Sequence, residues 1–166
     1  MQLTSYDVRE AFVIAKLDRP LYMRVPPGLV RTDAHGEKLV CKLGKSLYGL
    51  RQAAREWNTL FVSFLLAWGF LQSSADTCLF FLKVQAKLVM LIVIWVDDVI
   101  CADADSVVRQ RFALDLGKKF PIEEKTDLSW VLGIKIKYDR AGHSLAMSQE
   151  LYVQDMLRRY APHLAS

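Results

Sequence analysis

The sequence predicts an α+β fold in which an antiparallel sheet carries helices on one face, and three observations lead there. A Val- and Ile-rich run of nine apolar residues, Leu88 to Val96, stops at Asp97 and Asp98 and resumes at Val99. Such a run reads as a buried strand with its hairpin partner following. Between Ala53 and Trp68, large apolar residues recur every three or four positions, the period of an amphipathic helix. Strand-like and helix-like segments then alternate along the chain in the order strand, helix, hairpin, helix, hairpin, helix, hairpin, helix, with short turns between them.

Taken in order, Gln2 to Val8 reads as a short strand that carries Asp7 at its end, and REAFVIAKL supplies a helical turn or two. Leu21 to Val25 is a second strand, stopped by Pro26, Pro27 and Gly28. KLVCKL, after the polar turn Asp33 to Glu37, is its hairpin partner. Lys38, Lys42 and Lys45 give this hairpin a basic face, which solvation alone would accommodate. The helix from Ala53 to Trp68 turns Trp57, Leu60, Phe61, Phe64, Leu65 and Trp68 to one side, and Gly69 supplies its stop. Cys78 to Val84 and the Leu88 run form a hairpin across QAK.

Asp105 is placed to cap a helix from Ser106 to Lys119, whose basic last turn and following Pro121 mark its end. The Asp103 and Asp105 spacing resembles a calcium loop, but the required glycine and distal glutamate are missing. WVLGIKIKY and SLAMS are expected to pair across DRAGH. A last helix runs from Gln149 to Tyr160, capped by Ser148, with Val153, Met156, Leu157 and Tyr160 inward.

At 166 residues and 52% hydrophobic, the chain has enough apolar material for one core. The longest apolar run is half the roughly 18 to 20 residues that span a bilayer, so no membrane segment is expected. The N-terminus has no signal-peptide pattern, which sets intracellular residence as the expectation. Cys41, Cys78 and Cys101 lie far apart among apolar neighbours and suggest neither a zinc knuckle nor disulfides. A net charge of +4 mildly favours a polyanionic partner.

Two adjacent carboxylates beside buried strands are harmless if the turn protrudes into solvent. If they are partly desolvated they need a cation, because burying an uncompensated charge costs several kcal/mol. Asp7, at the end of another strand, decides in favour of the cation if the strands are neighbours. Mg²⁺ prefers oxygen ligands and takes one or two carboxylates, with water and phosphate completing its shell. Three acids suffice for a shared two-metal site, which serves in-line nucleotidyl transfer. Because side chains alternate along a strand, Asp97 and Asp98 do not both face one site unless the turn re-aims one. That favours Asp97 as the ligand beside Asp7, with Asp98 a weaker third or a group that positions the primer end.

DVREAF, LYMRVPPG, CKLGKSLYGLRQAAREW, SSADTCLF, WVDD and VLGIKI occur in the order and near the spacing of the reverse transcriptases of copia-type LTR retrotransposons, and nearly the whole chain resembles them. The resemblance implies an RNA-directed DNA polymerase palm over residues 1–147, with part of the fingers, and the start of the thumb over 148–166. It implies Asp7, Asp97 and Asp98 as catalytic and metal-binding residues, with the Val8 carbonyl as an added ligand to Mg²⁺ or, alternatively, Mn²⁺. Phe12 corresponds to the aromatic that excludes a ribose 2′-hydroxyl, and Gln52 to the glutamine that contacts the incoming nucleotide. Leu132 and Gly133 resemble the primer-grip hairpin.

The implied partners are an RNA or DNA template with its primer and deoxynucleoside triphosphates. Integrase and RNase H would join them within a longer polyprotein, in a cytoplasmic virus-like particle or the nucleus. The chain departs from the family pattern at Ile14, Ala15, Ala54, Thr77 and Trp95, and in EKTDLS ahead of the primer grip. With six residues before Asp7 and an early end in the thumb, the expectation is a palm-centred fragment. The alternative is a truncated remnant without catalysis that at most binds nucleic acid.

Overall fold

The computed structural model describes residues 1–29, 31–126 and 128–161. The first strand, β1 (Gln2–Val8), is an inner strand of the main sheet, and Glu10, at φ 56°, swings the chain from it into the short helix α1 (Ala11–Ile14). The strands β2 (Tyr22–Arg24) and β3 (Val40–Lys42) pair antiparallel as a small sheet of their own. The helix α2 (Ala53–Trp68) follows with the predicted bounds. Gly69 ends it at φ 108°, its N–H bonded to the Leu66 carbonyl at 3.1 Å while that of Phe70 bonds to Leu65 at 3.0 Å. This is the two-bond C-terminal closure that a left-handed glycine permits.

Four strands come next: β4 (Leu71–Gln72), which the sequence reading did not anticipate, β5 (Leu79–Val84), β6 (Lys87–Trp95) and β7 (Asp98–Asp103). The turn between β5 and β6 is Gln85 and Ala86, both at positive φ, the geometry whose twist suits a two-residue hairpin. After the helix α3 (Ser106–Lys119) comes β8 (Ile122–Thr126), which returns to the far side of β1. The resulting sheet has the order β4-β5-β6-β7-β1-β8, antiparallel throughout.

The core lies on one face of this sheet. Tyr6 and Val8, Val99 and Cys101, Met90, Ile92 and Ile94, and Phe80 and Leu82 pack there against Trp57, Phe61 and Leu65 of α2 and Phe112 and Leu116 of α3. The burial pushes the Cys101 thiol up to about 12, so it is an inert core group. The residues between these, including Asp7, Val93, Trp95, Asp98 and Ile100, face the other way, away from this core. The one-sided antiparallel α+β arrangement is the one the sequence predicts.

Asp105 caps α3 as expected, accepting from the N–H groups of Val107 at 2.9 Å and Val108 at 3.2 Å. Asp105→Ala should cost about 1 kcal/mol of stability in urea unfolding. A loss under a few tenths would show that the cap contributes nothing.

Two expectations need correction in the last third. WVLGIKIKY is not one strand: β9 (Trp130–Val131) and β10 (Ile134–Asp139) are separated by Leu132 at φ 49° and Gly133 at φ 78°. Val131 pairs with Ile134, so these two residues are a complete hairpin turn, and Gly133 supplies a conformation its neighbour tolerates less well. β10 pairs with β11 (Ser144–Ser148) across Arg140 to His143, completing a three-stranded sheet.

The helix α4 (Glu150–Tyr160) forms, and the Ser148 hydroxyl accepts from the Glu150 N–H at 3.2 Å. Its apolar side is not inward, however. Val153, Met156 and Tyr160 are exposed and Leu157 only half-buried, and no residue of the helix is buried. The rest of the expected thumb segment, 162–166, lies outside the described residues.

Candidate active site

The register of β1 against β7 sets Asp7 directly opposite Asp98. Tyr6 and Val8 on one strand and Val99 on the other are buried among the helices, so both acids turn to the open face. Trp95 pairs with Asp98, which leaves only Val96 and Asp97 in the β6–β7 turn. The expectation that both aspartates sit in the turn therefore holds for Asp97 alone. Strand alternation favoured Asp97 as the ligand beside Asp7; the ladder sets Asp98 opposite Asp7 and leaves Asp97 in the turn, because the hairpin closes one residue earlier than its polar residues suggest.

The turn is held from two sides. The Val8 N–H donates to the Asp97 carbonyl at 3.1 Å, and the Trp57 indole N–H donates to the Val96 carbonyl at 2.6 Å. Val8 keeps its side chain in the core, so what it can offer an ion is its carbonyl oxygen.

Electrostatics ties the three acids together. The Asp98 carboxyl is pushed above the usual carboxylate range by partial burial first, then by the negative charges of Asp97 and Asp7, with Lys125 pulling the other way. A divalent cation relieves this repulsion. Among the described residues, no three His, Cys, Asp or Glu side chains are gathered tightly enough to enclose an ion unaided. Carboxylate oxygens in a partial set fit Mg²⁺, which keeps positions for water and phosphate, better than a metal that needs a full protein cage. On the other side of Asp7, Glu123 of β8 is its ladder partner. Its carboxyl is held below the usual range chiefly by its hydrogen bond from Arg9, at 2.9 Å.

Phe12 and Gln52 form a second group. The helices α1 and α2 pack on each other, and the Ser46 N–H bonded to the Ala15 carbonyl at 3.2 Å ties the intervening loop to α1. Phe12, half-buried, meets the Tyr48 ring edge-on at 4.9 Å. Gln52 stands at the N-terminus of α2 with its amide nitrogen buried and without a hydrogen-bond partner. Leu132 and Gly133 form the turn between β9 and β10, whose sheet is not the one that carries Asp7 and Asp98.

Sequence reasoning missed Lys125, Tyr48 and the Trp57 hydrogen bond. The motif containing Tyr48 and Trp57 was in view, but which side chain meets which is fixed only by tertiary packing.

The family described as "Reverse transcriptase (RNA-dependent DNA polymerase)" matches residues 2–161. The chain is 32% identical over 161 residues to the retrovirus-related Pol polyprotein from transposon TNT 1-94 of Nicotiana tabacum, covering 96% of this chain and 12% of that protein. It is 36% identical over 157 residues to the Pol polyprotein from transposon RE2 of Arabidopsis thaliana, covering 95% and 10%. The putative transposon Ty5-1 protein of Saccharomyces cerevisiae is 26% identical over 147 residues, covering 89% and 46%. The chain thus spans about a tenth of the plant polyproteins. With an antiparallel sheet that sets Asp7 opposite Asp98 and a family match along nearly its whole length, this chain belongs to the reverse transcriptase family of the copia-type transposon Pol polyproteins.

Proposed function

We propose that this chain is an RNA-directed DNA polymerase domain that extends a primer 3′-hydroxyl by two-metal nucleotidyl transfer. The observation that carries the reading is the register that sets Asp7 against Asp98, with Asp97 in the adjoining turn. Asp7, Asp97 and Asp98, with the Val8 carbonyl, are the oxygens that would hold Mg²⁺ or Mn²⁺. The ions, when bound, activate the attacking hydroxyl and stabilise the departing pyrophosphate.

The remaining residues bind and orient. Phe12, braced by Tyr48, bars a 2′-hydroxyl by occupying its space, and the unpaired Gln52 amide donates to the incoming deoxynucleoside triphosphate. Leu132 and Gly133 support the primer end. Lys125 and the basic β2–β3 hairpin attract phosphates in a salt-dependent way. The template is RNA or DNA. As part of a Pol polyprotein the domain would work beside integrase and RNase H, inside a virus-like particle or the nucleus. Among the described residues, no helix is long and apolar enough to cross a membrane.

Primer extension on an RNA template tests this reading. Extension should require Mg²⁺ and stop with EDTA. Salt-sensitive binding that persists in EDTA, without extension, would instead identify a nucleic-acid-binding module.

A further inference from the structure

We propose that Trp57 is a positioning residue for the catalytic turn: its buried indole N–H pins the Val96 carbonyl and so fixes where Asp97 and Asp98 stand. The inference rests on the polymerase reading for its functional consequence, but its structural part stands on the turn alone.

Val96 is the first of the two turn residues and has φ 59°. A β-branched residue rarely adopts that conformation, and hairpins that need positive φ only at the first position usually place glycine there. The backbone holds it only if the surroundings over-determine it.

Two bonds do so, one to each turn carbonyl: Trp57 Nε1 to Val96 at 2.6 Å, and the Val8 N–H to Asp97 at 3.1 Å. Trp57 is 2% exposed, wedged between Phe61 at 5.2 Å and Phe120 at 5.3 Å, so its donor is aimed by packing and not by solvent. Val96 itself is exposed, so its own side chain anchors nothing. The site's geometry is thereby set from the helix layer behind the sheet.

A built-in comparison comes from the same helix. Trp68 also donates through its indole, to Asp115 of α3 at 3.3 Å, away from the turn. Losing either donor removes one hydrogen bond from α2; only that of Trp57 reaches the turn next to Asp98.

The test compares Trp57→Phe with Trp68→Phe by amide hydrogen exchange at Val8, whose N–H bonds to the Asp97 carbonyl, and by steady-state primer extension. Trp57→Phe should speed Val8 exchange by about tenfold, the size of one lost hydrogen bond in a local opening. Its kcat should fall with little change in KM for the nucleotide, while Trp68→Phe leaves both readouts near wild type. Should the phenylalanine variant fail to fold, benzothienylalanine at position 57 keeps the bicyclic shape and removes only the N–H. Equal Val8 exchange in wild type and the donor-deleted protein overturns the proposal. Faster exchange in a protein whose wild type extends no primer upholds the pin and counts against the polymerase reading.

Discussion

Asp98→Asn is expected to lower primer extension by about a thousandfold or more while leaving thermal stability at or above that of wild type. The expected loss follows from the proposed role of Asp98 as one of the charges that hold divalent ions at the reacting phosphate, where a single electrostatic group typically carries a factor of this size. The stability sign follows from the raised pKa of Asp98. A carboxyl whose folded pKa lies above its unfolded value is held less well as an anion, so its contribution to stability is fully present below the ordinary carboxylate range. That contribution is lost as pH rises through the folded pKa. At neutral pH without metal, the ionised group therefore works against the fold, and a neutral amide of the same shape removes that repulsion. Measuring kcat and melting temperature on one preparation checks both halves. Loss of activity with a large drop in melting temperature would mean that Asp98 is structural.

The largest effect on stability is expected at Phe112. Its side chain is fully buried, and its ring meets Tyr6 of β1 at 6.0 Å, Phe64 and Trp68 of α2 at 6.1 and 5.4 Å, and Phe70 at 5.5 Å. The residue thus joins α3, α2 and the sheet strand that carries Asp7. Phe112→Ala removes those contacts and leaves a cavity that three elements cannot all collapse into, which costs about 3–5 kcal/mol. Against the 5–15 kcal/mol typical of a domain, this is a large fraction. Urea unfolding should show a lower midpoint with an unchanged slope. A loss under about 1 kcal/mol would show that the layers pack independently of this ring.

Local signals made much of this legible in the sequence. The α2 bounds followed from apolar spacing and Gly69, the α3 cap from Asp105, and the β6–β7 hairpin from an apolar run broken by two acids. The short β4 has no apolar pattern of its own and exists because Leu71 and Gln72 pair with Phe81 and Phe80. The break at Leu132 went unread because a single glycine in a strand-like run has several meanings, and here the pairing of Val131 with Ile134 selects the turn. Periodicity correctly gave α4 an apolar stripe, but periodicity does not say what a stripe packs against.

The site was legible in the same way. Asp7, Asp97 and Asp98 could be named from their places at strand ends, whereas their relation depended on register. A shift of one residue exchanges the faces of a strand. The closure of the hairpin at Trp95 and Asp98 was a tertiary outcome, supported by Trp57 from another layer.

Asp7, Asp97 and Asp98 are proposed to form one divalent-cation site where β1 meets the β6–β7 turn. Electron paramagnetic resonance of Mn²⁺ titrated into the protein with primer–template and a non-reactive nucleotide addresses it directly. Mn²⁺ should bind, be displaced by Mg²⁺, and be lost in the Asp7→Asn, Asp98→Asn double variant. Equal Mn²⁺ binding by wild type and the double variant would contradict it.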